Sequence, residues 1–207
     1  MRLTTLSVGG LRTNCYILAP DSSDDCAVID PGADPQQVIV AVQSAGLIVR
    51  LILCTHGHAD HTGGVATLQG AAGGRFYLHS SDVAYSLDPP DWLEMALEGF
   101  VPPPGPDAEL QGIRRLLLGD EEIEFIHTPG HTPGSTCFRV DDMVFTGDTL
   151  FRESIGRYDL PGGDGPQELE SIHRLLLTLD DYTRVYPGHG PATTIGHEKL
   201  NNPFLRQ

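Results

Sequence analysis

Residues 55–61, Thr55-His56-Gly57-His58-Ala59-Asp60-His61, follow directly on the apolar run Val49-Arg50-Leu51-Ile52-Leu53-Cys54. They bring three imidazoles and a carboxylate into a span of six residues. The run before them is short, rich in branched side chains and bounded downstream by Gly57, so it reads as a buried strand whose carboxyl end carries the cluster. In extended chain, residues two apart point the same way, which lets His56 and His58 hold one metal ion together. Asp60 and His61 are adjacent and must diverge, so they are aimed at a second position. Gly63-Gly64, followed by Val65, Ala66, Leu68 and Ala72, predicts a turn into a helix. A four-ligand cluster lying across a strand-to-helix junction suits two metals better than one.

A lone histidine is ordinarily a core or surface residue, but four ligand-type side chains at this spacing reverse that reading. Cys15, Cys26, Cys54 and Cys137 are scattered and form no CxxC pair, so a thiolate-based structural zinc pattern is absent. Closed structural sites favour thiolates, whereas His and carboxylate sets commonly leave a position open for water, which points to catalysis. The same order of strand, glycine or proline turn, and ligand-type side chain recurs three times. Ile123–Ile126 leads to His131, Met143–Gly147 leads to Asp148, and Arg184–Pro187 leads to His189. If His56, His58 and His131 hold one metal, then Asp60, His61 and His189 are left for a second, and Asp148 can bridge both. Two such ions ~3.5–4 Å apart would share a water whose pKa falls to roughly 7.

These pieces resemble the metallo-β-lactamase superfamily and, within it, the glyoxalase II-like (hydroxyacylglutathione hydrolase-like) enzymes. The matching segments are THGHADHTGG (55–64), HTPGHTPGS (127–135), GDTLF (147–151), GR (156–157) and YPGHGP (186–191), and the likeness runs from TNCY (13–16) to TIGHEKLNNPF (194–204). The resemblance implies an α/β fold of the αββα type over residues 1–207, with two mixed sheets packed face to face, helices outside and the metals in a cleft at one edge. It implies a dinuclear metallohydrolase with two divalent ions, zinc or alternatively iron or manganese. Asp60 and Asp148 would be the carboxylates beside a metal-bridging hydroxide that attacks a thioester carbonyl, with S-lactoylglutathione as the leading substrate. Thiolate leaves readily, so no dedicated general acid is needed. Asp148 stands where metallo-β-lactamases of the antibiotic-resistance type commonly have Cys, which leans towards glyoxalase II. The C-terminal helical domain of full-length glyoxalase II is expected to be missing, and SIGRYDLPGGD (154–164) looks like the short, single-domain members. Arg157 would hold a carboxylate of the thiol moiety, with Arg152 or Tyr158 assisting. Three alternatives remain: a mononuclear-iron persulfide dioxygenase, a metallohydrolase of another small ester or lactone, and a non-catalytic metal-binding protein. The dioxygenase is matched at Gly156-Arg157 and Asp159 but not at Leu160-Pro161.

Composition agrees with a compact enzyme, since 207 residues at 40% hydrophobic content suffice for one domain with a substantial core. A net charge of −15 argues against nucleic-acid partners, because binding a phosphate backbone needs basic patches that displace counterions. Residues 1–20 alternate and hold no continuous apolar stretch, so neither a signal peptide nor a membrane span is expected and a cytoplasmic location is the default. Unpaired cysteines fit a reducing compartment, and Cys15 and Cys54 read as packed strand residues.

Hairpins are expected over residues 2–30, closed by the turn Asp30-Pro31-Gly32. A helix should start at Asp34-Pro35, carry Val38, Ile39, Val42 and Ala45 on one face and stop at Gly46. Asp30 is either a carboxylate partner for a ligand histidine or a simple turn residue. Pro166 and the stripe Leu169, Ile172, Leu176 and Leu179 predict a helix over 166–179. His127 has a claim as a partner to the metal ligands, His79 is assigned a structural role, and His173 and His197 are left outside the site. Residues 87–119 break the pattern with Pro89-Pro90 and Pro102-Pro103-Pro104, and read as a long loop. Trp92, Met95 and Ala96 within it make either a lid over the site or a small packed helix.

Overall fold

The chain opens with antiparallel strands β1 (Arg2–Val8), β2 (Thr13–Ala19) and β3 (Asp25–Ile29), then crosses through helix α1 (Pro35–Ser44) to β4 (Ile48–Leu53). The four-residue helix α2 (Ala59–Thr62) and α3 (Val65–Ala72) lead to β5 (Arg75–Leu78), and α4 (Ser80–Leu87) follows. Strands β3, β4, β5 and β6 (Ala108–Glu109) run parallel, completing a mixed sheet in the order β1-β2-β3-β4-β5-β6. A computed structural model describes residues 1–88 and 100–206 of the chain. The lid or helix expected at Trp92, Met95 and Ala96, and the prolines at 89–90, lie outside the described residues.

The second sheet is built from β7 (Arg115–Leu118), β8 (Glu121–His127), β9 (Thr136–Val140), β10 (Met143–Gly147), β13 (Arg184–Pro187) and β14 (Thr193–Thr194), in the order β14-β13-β10-β9-β8-β7. A two-stranded hairpin, β11 (Leu150–Phe151) with β12 (Ser154–Ile155), follows β10 and leads to helix α5 (Gly165–Thr178). Helix α6 (Ile195–Asn201) follows β14. β6 and β7 both fall inside the stretch read from sequence as one long loop. They are short and flanked by proline and glycine, so period-two alternation has too few residues to show. Leu110 and Leu118 are nonetheless buried there.

Alternation along the strands sorts side chains into separate cores. Tyr16, Leu18, Leu51 and Leu53 of the first sheet meet Phe125, Phe138, Val140 and Phe145 of the second, forming the layer between the sheets. Cys15, Ile17, Val28 and Ile52 face the other way and are covered by Val38, Ile39 and Val42 of α1 and Leu68 of α3. On the far side, Cys137, Val144 and Val185 are covered by Ile172, Leu175 and Leu176 of α5. Four layers, helix–sheet–sheet–helix, result. The parallel strands are buried on both faces over most of their length, which is why β4 reads as an apolar run broken only by the exposed Arg50.

Strand direction then places the chemistry. β10 and β13 are parallel, and β8 runs the same way because β9 is antiparallel to both β8 and β10. Their carboxyl ends therefore open on one edge of the second sheet. The end of β4 reaches the same edge, where the Thr136 N–H donates to the Thr55 carbonyl and joins the two sheets at 2.8 Å.

Candidate metal centre

Each of the four strand ends delivers ligand-type side chains to this edge. Three imidazole nitrogens converge first: His58 Nδ1 lies 2.9 Å from His56 Nε2 and 2.9 Å from His131 Nε2. The tautomers follow from the remaining ring nitrogens. Thr55 Oγ1 donates to Asp30 at 2.8 Å and so accepts from His56 Nδ1–H at 3.0 Å. His131 Nδ1–H donates to the Arg157 carbonyl at 2.7 Å. Both Nε2 atoms therefore present lone pairs towards His58 Nδ1, an arrangement that suits a cation held among the three rings.

A second group adjoins it. His61 Nε2 lies 3.5 Å from Asp60 Oδ2 and 3.4 Å from Asp148 Oδ1, while His189 Nε2 lies 3.2 Å from Asp60 Oδ2 and 3.6 Å from Asp148 Oδ2. Asp148 Oδ2 is also 3.7 Å from His131 Nε2, so this carboxylate faces both groups. His61 Nε2 and Asp148 Oδ1 are buried and lack hydrogen-bond partners, which marks them as donor atoms suited to a metal rather than to protein. The sets His56/His58/His131 and Asp60/His61/His189 each gather ligand atoms within 4.8 Å of one another, as does His56/His61/Asp148. All seven residues fit the hard and borderline dications that take imidazole and carboxylate.

Charge is divided unequally between the groups. Burial and the neighbouring imidazoles hold His56 far below its usual value, and burial brings His58 down to about 3, so these two rings are neutral and ready to ligate. At the other set burial opposes charging, but Asp60, Asp30 and Asp148 together raise His61, while His61 in turn holds Asp148 well below the carboxylate range. The carboxylates thus gather positive charge at the second position.

Supporting contacts explain segments that carry no ligand. Asp30 is held in a left-handed conformation (φ 50°) and accepts from the Thr55 N–H at 2.8 Å and from His61 Nδ1–H at 2.9 Å. It is thus a carboxylate partner of the candidate ligand His61 and not only a turn residue. Strand β2 supplies Thr13, whose hydroxyl donates to Asp60 Oδ2 at 3.1 Å, and Asn14, whose amide donates to the carbonyls of Pro187 and Gly190 at 3.0 and 2.8 Å. The TNCY segment therefore fixes one ligand and the loop of another. Gly188 must be glycine, because a Cβ there would collide with Asp148 Oδ1.

Two acids that sequence reading missed stand behind the loops. Asp82 of α4 is fully buried and accepts from Gly57 N–H at 2.8 Å, Gly134 N–H at 2.7 Å and Thr132 Oγ1–H at 2.7 Å, clamping the His56–His61 and His131 segments together. A side chain at Gly134 would strike its carboxylate. Glu168 of α5 is buried beneath Gly130 and Gly156, and burial, opposed by the His131 N–H, pushes it up to about 8. Nothing local in either segment signals these roles, since no helix is expected from the sequence at Asp82 and the one expected at 166–179 is read only for its apolar face.

A cavity of about 400 Å³ opens over the cluster, lined by His58, Asp60, His131, Asp148 and His189 and walled by Leu11, Phe151, Ile155 and Leu160. Arg157 lines it too, but its guanidinium is held by Asp159 through two bonds of 3.0 and 3.1 Å. Neither Arg152 nor Tyr158 lines this cavity. Arg152 lies 3.9 Å from Glu153, and the Tyr158 ring packs against Gly165. His127 departs from expectation: it is exposed, donates to the Pro133 carbonyl at 3.0 Å and stacks on His79, touching no ligand. His79 has the structural role expected, capping α4 by accepting from Ser81 N–H. His197 pairs with Glu153 at the surface.

Residues 8–189 match the family model described as the metallo-beta-lactamase superfamily. The chain is 36% identical over 208 residues to the probable metallo-hydrolase YqgX of Bacillus subtilis (99% of this chain, 98% of the relative). It is 32% identical over 212 residues to the hydroxyacylglutathione hydrolase GloC of Haemophilus influenzae (99% and 98%). Among solved structures, the BLEG-1 B3 metallo-beta-lactamase superposes with a TM-score of 0.92 at 36% identity, covering 100% of both chains. TTHA1623 in a di-iron-bound form gives 0.85 at 38% identity, covering 98% of this chain and 100% of that one. The chain belongs to the metallo-β-lactamase superfamily.

Proposed function

We propose that this member of the metallo-β-lactamase superfamily is a dinuclear metallohydrolase that cleaves thioesters, with S-acylglutathiones such as S-lactoylglutathione as first candidates. The observation that carries the reading is Asp148, whose two oxygens face two separate ligand sets. His56, His58 and His131 would hold one ion and Asp60, His61 and His189 the other, with Asp148 shared. Bound zinc, iron or manganese would supply an activated water near neutral pH and a Lewis acid for the carbonyl oxygen. The chain's own part is positioning. Asp30 and the Arg157 carbonyl fix the rings of His61 and His131, and Thr13 fixes Asp60. Leu11, Phe151, Ile155 and Leu160 make an apolar wall that suits an acyl group, with Arg157 as the cation at hand for a thiol carrier's carboxylate.

Likeness to a hydroxyacylglutathione hydrolase across nearly the whole chain supports the thioester class, and the di-iron form of TTHA1623 supports a pair of metals with iron among the candidates. The test is a panel of S-lactoylglutathione, a small alkyl thioester, a lactone and a β-lactam, assayed with protein loaded with zinc, iron or manganese and its metal content measured. Thioester hydrolysis at two ions per chain is the expected result. A protein carrying two ions that cleaves no thioester overturns the reading. Oxygen uptake on glutathione persulfide with a single iron would establish the dioxygenase alternative instead.

A further inference from the structure

A second cavity, of about 700 Å³, opens on the side of β8 and shares no lining residue with the cavity over the metal ligands. Its charge runs against the rest of the molecule. The whole chain has 13 basic and 28 acidic residues, yet this lining contains Arg114, Arg115, Arg139 and Arg174 and a single carboxylate, Glu124. The consecutive pair at 114–115 and Arg174 of α5 come from distant parts of the sequence, so only folding brings them together.

The four guanidiniums are unequally neutralised. Arg115 pairs with Glu122 at 3.0 Å, and Arg139 reaches Glu124 at 3.5 Å. Among the described residues, neither Arg114 nor Arg174 has a carboxylate partner. Arg174 is instead anchored by donating to the His127 carbonyl at 2.7 Å, which orients its other donors without consuming its charge. The wall also holds the stacked pair His79 and His127, with centroids 4.3 Å apart and planes within 5°. His79 Nδ1 accepts from Ser81 N–H, so its proton sits on Nε2, which has no protein partner among the described residues.

We propose that this cavity binds a small organic polyanion through Arg114, Arg174 and the His79 Nε2–H. Guanidinium forks bind carboxylate and phosphate oxygens in pairs, so the ligand chemistry is a phosphate ester or a compact polycarboxylate. The cavity's size falls in the range of small-molecule sites, roughly 300–1,000 Å³.

The test is calorimetric titration of the metal-loaded full chain with glycerol 3-phosphate as the phosphate probe and tricarballylate as the carboxylate probe. One saturable site for either probe is expected, weakened at least tenfold in an Arg114→Gln/Arg174→Gln variant and largely retained in Arg114→Lys/Arg174→Lys. The probe that binds identifies the chemistry. Because anions also bind metal centres, the same titration is run on His189→Ala, which should leave this site intact. Unchanged melting temperature of the glutamine variant shows that it is folded. Absence of saturable binding by both probes overturns the proposal, as does binding that survives the double glutamine change or disappears with His189→Ala.

Discussion

Asp148 concentrates the residue-scale argument, because a neutral amide would screen the repulsion between two cations poorly and offer one oxygen where two are used. Asp148→Asn is expected to lower metal content at both positions and to abolish most hydrolysis. Elemental analysis showing two ions per chain in the variant would sink the shared-carboxylate model. Arg157 needs a finer reading than its charge suggests. Its carbonyl orients His131, and an alanine keeps that carbonyl, so Arg157→Ala should leave kcat nearly unchanged. Its guanidinium is already bound to Asp159, so the net loss to a glutathione substrate should be at the low end for a charge-assisted bond, about 1.5 kcal/mol or roughly tenfold in KM. A small thioester without carboxylates should show no change. Equal losses of kcat on both substrates would mean that the side chain supports the loop. The seven ligand-type residues were legible in the sequence because they follow strand-like runs and sit beside glycine or proline turns. Arg152 and Tyr158 were assigned by resemblance alone, and neither lines the cavity over the cluster.

At the scale of elements, the loops bearing the ligands are held by helices that contribute no ligand. Asp82 of α4 satisfies two backbone N–H groups and a hydroxyl from two different loops. Its removal would orphan buried donors at about 1–3 kcal/mol each. Asp82→Ala should therefore destabilise the fold by several kcal/mol, on the order of 3–5, and loosen metal binding. Urea unfolding and metal titration read both effects, and a variant with wild-type stability would refute the clamp. Glu168 of α5 gives a pH-dependent counterpart. Its folded value, about 8, exceeds the ordinary 4.5, so between those values the unfolded chain releases a proton that the folded protein keeps. Stability contributed by the protonated acid is full below pH 4.5 and is lost progressively as pH rises towards 8, a change on the order of a few kcal/mol. In metal-stripped protein, Glu168→Gln should flatten this decline and be the more stable form at pH 8. Parallel stability profiles for the two proteins from pH 5 to 8 would show that the carboxyl is not held neutral.

For the molecule as a whole, the buried carboxylates Asp30 and Asp60 and the half-buried Asp148 meet where two sheets join, so metal binding should be coupled to folding. An ion that binds only the folded chain at a thousand times its Kd adds about 4 kcal/mol. For a protein of this size that is roughly 8–16 °C in Tm. Chelation followed by thermal melting should show a drop of that order, reversed by adding back zinc, iron or manganese. An unchanged Tm in protein verified to be metal-free would place the ions outside the folded core.

Periodicity and ligand spacing are local properties, and they sufficed to identify β4, β8, β10, β13, α1 and α5 and to pick out the seven side chains that the fold gathers into adjoining groups. Contacts between distant segments are not local, and only the tertiary structure decided them. It showed that Asp30 reaches His61, that Thr13 and Asn14 hold Asp60 and the 187–190 loop, and that Asp82 and Glu168 support the site from behind. It also turned the expected loop at 87–119 partly into β6 and β7, since a two-residue strand exists only by pairing with its neighbour. The physical division is plain. A ligand's identity is written in its own side chain and its neighbours, whereas its orientation depends on a hydrogen-bond partner that folding brings from elsewhere in the chain.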